Sequence, residues 1–259
     1  MTGYALGPRA QALAHRLHVH ERLGSTNTEA LACFRAGETG PLWVVAHEQD
    51  AGRGRRGNRW VSEPGNLTAS LLWPVDDVEP GDVPSLGFVA GVALLGALKS
   101  AGVSGIRLKW PNDVLSSGAK LAGLLLEAER RPDGGRAVVL GFGVNVAATP
   151  GGLPYDATCL RQMRYGTRAE NVFVHLTDAI VEAARLWDCG RGFLRIRERW
   201  IADAAGIGAP VSVRSGDTHV HGIFETIDEA GRLVVRSEDG TRRTVTAGEV
   251  HLGTAATAA

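Results

Sequence analysis

Eight consecutive residues, Gly52-Arg53-Gly54-Arg55-Arg56-Gly57-Asn58-Arg59, hold four arginines and three glycines, a combination suited to gripping an anion. Glycine lets the backbone turn its N–H groups toward a ligand, and guanidinium forks match carboxylate and phosphate oxygens. A solvated turn is the ordinary use of such charge. Here, however, the apolar run Leu42-Trp43-Val44-Val45-Ala46 leads in through Gln49 and Trp60 closes the segment, so both ends are expected to be anchored in a core. The glycine spacing also satisfies GxGxxG, but a dinucleotide site needs a helix opening at the third glycine. Asn58-Arg59-Trp60-Val61-Ser62-Glu63-Pro64-Gly65 offers none.

Three further groups carry chemistry. Lys109-Trp110-Pro111-Asn112-Asp113 puts a cation, an aromatic, an amide and a carboxylate at an expected strand end, where proline fixes the turn and keeps Trp110 extended. Such an end presents Asp113 to a cation or a nucleotide, or is simply an Asn-Asp turn. Lys120 opens the apolar segment Leu121-Ala122-Gly123-Leu124-Leu125-Leu126-Glu127, where an ammonium is costly without a partner and Gly123 leaves room beside it. It either stabilises charge developing on a carboxylate or phosphate oxygen or pairs with Asp113 or Glu127. Gly141-Phe142-Gly143-Val144-Asn145 flanks a strand residue with glycines and ends on a carboxamide, allowing a flat ligand to approach the backbone. No nucleophile, base and orienter converge, and Ser25 lacks a GxSxG context. Cations, one carboxylate candidate for a metal, glycines and no nucleophile fit direct attack of one bound substrate on another, with a magnesium nucleotide as one of them. That is carboxylate activation.

These groups need elements to position them. Thr26-x-x-Glu29 reads as a capping box, and Ala30, Leu31, Cys33 and Phe34 as the apolar face of a helix ending at Gly37. Leu42 to Ala46 is an expected strand, and Leu67, Ala69, Leu71 and Trp73 share one parity of the next, so the arginine loop interrupts a sheet. Helical spacing runs from Ser85 to Ala101, from Phe173 to Trp187 and from about Phe193 to Ala202. Strands are expected at Ile106–Trp110 and Leu121–Leu126, separated by the turns at Pro111-Asn112-Asp113 and Ser116-Ser117-Gly118. The turn Arg131-Pro132-Asp133-Gly134-Gly135 and the run Ala137 to Val146 complete a meander. Beyond Ala204-Ala205-Gly206-Ile207-Gly208 the period shortens. Val211–Val213, Val220–Phe224, Leu233–Val235 and Thr244–Thr246 alternate with turns such as Ser215-Gly216-Asp217, as in a small antiparallel barrel, before a small-residue tail from Gly253.

The whole chain narrows the possibilities. Its 259 residues, 44% hydrophobic, suffice for one large and one small domain. Lys+Arg and Asp+Glu each number 28, so the broad basic field of a general nucleic-acid binder is absent. Cys33, Cys159 and Cys189 lack any CxxC spacing, which points to a reducing compartment and away from structural zinc. With no signal-length apolar stretch near the N-terminus, the expectation is a cytoplasmic protein without a membrane or DNA partner.

Taken in order, Ser25-Thr26-Asn27, Gln49 with GRGRRG and Trp60, Gly65-Asn66-Leu67, KWPND, GAKLAGLLLE from Gly118 and GFGVNV from Gly141 resemble the biotin protein ligase family, also called biotin–[acetyl-CoA carboxylase] ligases. The resemblance implies an α+β fold: a mixed β-sheet catalytic domain with surrounding helices over residues 1–206, then a small SH3-like β-barrel over 207–259. About 20 residues before Ser25 resemble the monofunctional group, without a repressor domain. The implied reaction is biotin plus ATP, with Mg2+, giving biotinyl-5′-AMP, followed by transfer to a lysine of a biotin carboxyl carrier protein or domain of acetyl-CoA carboxylase or a related carboxylase. By the same resemblance Ser25, Thr26, Asn27 and Gln49 line the biotin pocket, and Gly54, Arg55 and Arg56 fold over the biotin carboxylate and adenylate phosphate. Arg53, Gly57 and Trp60 order that loop, and Lys120 holds the reacting oxygens. Asp113 serves the magnesium and the acceptor lysine, while Lys109, Asn112, Gly123 and Asn145 belong to the ligand-binding set. Asn58 stands where the family often has another arginine. Lipoate ligases are the nearest alternative, against which the arginine loop and KWPND weigh. An exposed sheet edge is expected to serve a homodimer or the carrier.

Overall fold

The computed structural model describes residues 3–216 and 218–253. Asp217 of one expected turn, and the tail after Gly253, lie outside the described residues. The main sheet has seven strands in the order β1-β2-β3-β7-β6-β5-β4. These are β1 (Arg16–Leu23), β2 (Leu42–Gln49), β3 (Leu67–Pro74), β4 (Ile106–Lys109), β5 (Asp113–Ser116), β6 (Ala119–Arg130) and β7 (Arg136–Val144). Only β1 and β2 run parallel; the other pairings are antiparallel.

The two faces of this sheet have different jobs. Trp43, Val45, Leu67, Ala69, Leu71, Leu140, Phe142 and Val144 lie on one face and are buried beneath α3 (Leu86–Ser100) and α4 (Ala169–Trp187), onto which α5 (Phe193–Ala202) packs. The apolar stretch Val83–Ser100 is long and hydrophobic enough to cross a membrane by composition, and 61% of it is buried inside the fold. On the opposite face, registers align Ala46, Thr68, Gly143, Gly123, Asp113 and Lys109 in one row crossing β2, β3, β7, β6, β5 and β4. A second row holds Val44, Ser70, Gly141 and Leu125, and a third Leu42, Leu72, Val139 and Glu127. Helix α2 (Thr26–Arg35) covers the third row and part of the second with Ala30, Leu31 and Phe34. The first row, made of small and polar residues, is left for a ligand.

A second sheet of five antiparallel strands follows, in the order β11-β10-β9-β8-β12. It comprises β8 (Pro210–Ser215), β9 (Thr218–Ile227), β10 (Leu233–Arg236), β11 (Arg242–Val245) and β12 (Glu249–Leu252). Val211, Val213, Phe224, Leu233, Val235 and Val250 fill it, forming the small SH3-like module. Trp110 joins the two parts: it is buried, and its indole N–H donates to the Gly231 carbonyl at 3.2 Å.

Several elements depart from the sequence reading. The cap of α2 is Ser25, whose Oγ accepts from Thr28 N at 3.5 Å, rather than Thr26. Thr26 is the first helical residue, and its hydroxyl is drawn to Gln49 and Ser70. Asp113 opens a strand, β5, instead of ending a turn, and the Trp110–Pro111 peptide is cis. Strand β3 is buried on both faces through Leu72, not on one parity. Strand β1, helix α1 (Pro8–Ala12) and β12 were not anticipated; β1 is an edge strand with mostly exposed side chains, so RLHVHERL carries no apolar alternation.

Candidate active site

Of the first row, Gly143, Gly123, Asp113 and Lys109 border a cavity of about 900 Å³, walled by α2, the arginine loop, the KWPND turn, the 153–156 loop and the barrel strand β12, while Ala46 and Thr68 are buried. At the α2 end, buried polar groups are tightly linked. Gln49 Oε1 accepts from the Thr26 amide at 2.8 Å and the Thr26 hydroxyl at 3.1 Å. Ser70 Oγ lies 2.7 Å from Thr26 Oγ1 and 2.6 Å from Asn27 Oδ1, and Asn27 Nδ2 donates to Glu127 at 2.8 Å. Thr26, Asn27 and Ser70 are all at least nine-tenths buried. The glycines of β7 create this geometry. A Cβ on Gly141 would stand 2.3 Å from Asn27 Oδ1, and one on Gly143 would stand 2.4 Å from the Trp60 ring.

The arginine loop is a closed hairpin. Gly54 N donates to Asn58 O at 2.7 Å, Trp60 N to Gly52 O at 2.9 Å, and Arg53 bridges Arg59. Arg56 and Gly57 take left-handed φ values of 57° and 76° at its tip. The four arginines are not equivalent. Arg53 donates to Glu127 at 2.9 Å and Arg59 to the Asp50 carbonyl at 3.3 Å, whereas Arg55 reaches Asn112 Oδ1 at 3.3 Å and Arg56 has no such tie. Trp60 lies over Gly143 and Gly123, and its buried indole nitrogen has no hydrogen-bond partner among the described residues.

Lys120 sits opposite this loop. Its ammonium is 2.8 Å from Asp113 Oδ1 and lies between the Trp60 and Tyr155 rings, 5.7 and 5.4 Å from their centroids. Its backbone is clamped by the segment after Tyr155, with Lys120 N donating to Asp156 O and Thr158 N to Lys120 O. The ion pair left open between Asp113 and Glu127 therefore falls to Asp113, since Glu127 is taken by Asn27 and Arg53. Burial pushes the Lys109 amine below its ordinary range; Asp113 opposes this shift and the Lys120 charge adds to it. Arg55 is likewise lowered, by burial and then by Arg56, with Asp113 opposing. Glu249, bonded to Arg214, is held below the usual carboxylate range and lies in the field of Arg56.

Ser25, Thr26, Asn27, Gln49, Arg53, Gly54, Arg55, Arg56, Trp60, Lys109, Asn112, Asp113, Lys120 and Gly123 all line this cavity. Gly57 does not. Asn145 stands behind Lys120, its amide donating to Thr158 O at 3.1 Å and Lys120 O at 3.5 Å. Sequence reading passed over Ser70, whose polar side chain inside an apolar strand was a signal, and Tyr155. It also missed Ser212, Glu249 and His251 of the barrel, which reach the cavity only through the tertiary fold. Among the described residues no three His, Cys, Asp or Glu side chains form a metal cage. Asp113 is a single carboxylate, a donor suited to an ion that is already held by phosphate oxygens.

Comparison with known proteins places these features. Residues 19–145 match the biotin/lipoate A/B protein ligase family and residues 206–253 the biotin protein ligase C-terminal domain. The chain is 40% identical to a biotin–[acetyl-CoA-carboxylase] ligase of Paracoccus denitrificans over 90% of its length and 98% of the relative's. It is 33% identical to the corresponding ligase of Mycobacterium tuberculosis, over 91% and 88%. The fold matches the biotin protein ligase of Aquifex aeolicus in complex with biotin and ATP, with a TM-score of 0.76 at 24% identity, covering 92% and 98% of the two chains.

Proposed function

The chain belongs to the biotin protein ligases of the biotin/lipoate A/B ligase family, and from that premise we propose how its cavity divides the reaction among named residues. The protein activates biotin with ATP and transfers it to a biotin carboxyl carrier protein. The observation that supports the residue assignment is the run from Gly143 through Gly123 and Asp113 to Lys109, which borders the cavity beneath Trp60, with Lys120 paired to Asp113.

The biotin ring system lies at the α2 end, where Ser25, Thr26, Asn27 and Gln49 offer donors and acceptors to its ureido group. Gly141 and Gly143 make room for Asn27 and Trp60, which border this subsite. Its carboxylate then points along the row toward Lys120. In the first step a carboxylate oxygen attacks the α-phosphorus of ATP, a carboxyl–phosphate bond forms, and pyrophosphate leaves. Lys120, Arg55, Arg56 and the Gly54 backbone stabilise the charge on the reacting oxygens, the kind of preorganised electrostatics that contributes most to such steps. Asn112 orients Arg55, and Lys109 adds charge at the nucleotide end, with Gly57 and Arg53 shaping the loop and Asn145 holding Lys120 from behind. Asp113 would help to hold a Mg2+ brought with the nucleotide, and the ion would supply charge neutralisation there. In the second step the carrier amine attacks the acyl carbon, an amide forms, and AMP departs. Asp113 receives the proton the amine must shed.

Residues 1–206 hold the reacting groups, and 207–259 close the cavity through Ser212, Glu249 and His251. The macromolecular partner is the carrier rather than DNA. Beyond Leu124, whose backbone is bonded to Asn112, β6 pairs among the described residues with β7 alone, leaving an edge for the carrier or a second copy of the chain. Biotin-dependent ATP–pyrophosphate exchange, run beside lipoate and with Lys120→Ala, tests the reading. Exchange specific to biotin and lost in the variant supports it; exchange with lipoate alone overturns it.

A further inference from the structure

Glu127 lies outside the cavity, yet a single oxygen of its side chain accepts from Asn27 at 2.8 Å and from Arg53 at 2.9 Å. These two partners belong to opposite ends of the biotin subsite: Asn27 to its buried floor, Arg53 to the loop above it. The contacts extend into a circuit. Arg53 reaches Glu127, then Asn27, Ser70, Thr26 and Gln49, and the chain returns from Gln49 to Arg53 in four residues.

The chemistry of Glu127 gives the circuit a direction. A carboxylate only accepts hydrogen bonds, whereas an asparagine amide has one donating and one accepting end. Facing Glu127, Asn27 must present its NH2 there and its Oδ1 toward Ser70 and the Gly141 backbone. Without Glu127 the amide faces only the Ser70 hydroxyl, which can donate or accept, so its orientation is no longer fixed. The same carboxylate also pins Arg53 and with it the start of the arginine loop. We propose that Glu127 is a positioning residue that sets the polarity of the biotin subsite through Asn27 and couples its occupancy to the arginine loop through Arg53. This rests on the biotin reading above and adds a residue that contacts neither substrate.

The test uses the full chain with Glu127→Ala, Glu127→Gln and Arg53→Ala, after the parent has shown biotin-dependent exchange; a parent without it defeats the functional reading, not this coupling. Alanine removes both arms, so the biotin KM should rise by about tenfold and release of the adenylate should quicken by about tenfold, magnitudes ordinary for a lost charge-assisted hydrogen bond. Glutamine keeps an oxygen for Asn27 but loses the charge facing Arg53. It should restore KM to within about threefold while release stays fast, and adding Arg53→Ala to it should change release no further, because both act on one link. A purely structural role would not separate the two readouts. Parent-like KM and release in Glu127→Ala, or additive effects of Glu127→Gln and Arg53→Ala on release, overturn the proposal. Should the alanine variant fail to fold, the glutamine and arginine pair still decides it.

Discussion

Replacing Gly143 with alanine tests whether the site depends on a bare strand beneath Trp60. A Cβ there would lie 2.4 Å from the nearest atom of the indole ring, whereas carbon atoms in contact sit roughly 3.5–4.0 Å apart. The ring must therefore retreat by about 1 Å. Little opposes that movement, because the indole N–H has no partner to lose among the described residues. Overpacking at this rim should cost stability near the low end of the usual range, about 1 kcal/mol, or roughly 3 °C in Tm. Catalysis should suffer more. Trp60 closes the arginine loop and flanks Lys120 at 5.7 Å, and misplacement of a site by about 1 Å costs on the order of a hundredfold, equivalent to about 2.8 kcal/mol. The assay is kcat/KM for biotin in pyrophosphate exchange, read beside thermal unfolding. Gly123→Ala is the control: its Cβ would meet the same ring at 3.1 Å and Lys120 Cε at 3.3 Å, a shift of a few tenths of an ångström with an effect of about fivefold. If Gly143→Ala is as active as Gly123→Ala, the account of Trp60 is wrong.

Other expectations follow from the same contacts. Arg55→Gly should leak the adenylate into solution and label non-cognate lysines; unchanged selectivity toward a mixture of proteins would refute this. Adenylate should increase hydrogen-exchange protection of residues 52–59, because four close arginines are neutralised by an anion, and equal protection with and without it would sink the idea. Asn66→Ala should destabilise by roughly 3 kcal/mol, since Asn66 Oδ1 accepts from the amides of Val146, Ala147 and Ala148 at 2.9, 2.9 and 3.2 Å; a Tm within a degree or two of the parent would count against it. For Lys109 the folded form binds its proton less tightly than the unfolded chain, so stability from this group rises with pH between the lowered value and the ordinary lysine value. Lys109→Met should flatten that alkaline rise and, at neutral pH, raise the Tm of the ligand-free protein while weakening exchange; a lower neutral-pH Tm would reverse the sign of the argument.

Much of the site was legible because its residues break the pattern of their own elements. A lysine opening an apolar strand, glycines alternating with Leu140, Phe142 and Val144, and arginines between glycines each cost something in an ordinary fold. What was not legible depends on register. Nothing local says that Thr68, Gly143, Gly123, Asp113 and Lys109 form one row; that follows from pairings across five strands. The shared partner of Ser70 and Glu127 was hidden for the same reason, since only the sheet brings both to Asn27. Asp113 was read as a turn residue because Asn-Asp after proline is a turn signal, and the β5 ladder overrode that preference.

The charge balance of the cavity gives these placements a common logic. Arg53, Arg55, Arg56, Arg59, Lys109 and Lys120 line it, against Asp113, Asp156 and Glu249. Burial lowers both Arg55 and Lys109 in the ligand-free site; Arg56 adds to this at Arg55 and Lys120 at Lys109, with Asp113 opposing at both and Glu249 at Lys109. Cations held by burial, by Asn112 and by two aromatic rings cannot disperse, so their repulsion is relieved only when anionic oxygens arrive. That relief favours the phosphates of ATP beside a biotin carboxylate. It persists after pyrophosphate leaves, because the adenylate remains an anion under the same cations. A reactive mixed anhydride is thereby retained until an amine reaches it. Glu249, supplied by the barrel and anchored by Arg214 at 2.6 Å, lines the cavity with Arg56, whose side chain has no hydrogen bond or ion pair among the described residues. Because Glu249 is a barrel carboxylate lining the same cavity as Arg56, Glu249→Gln should quicken adenylate release while leaving the biotin KM near the parent value; a raised KM with unchanged release would assign Glu249 to the biotin subsite instead.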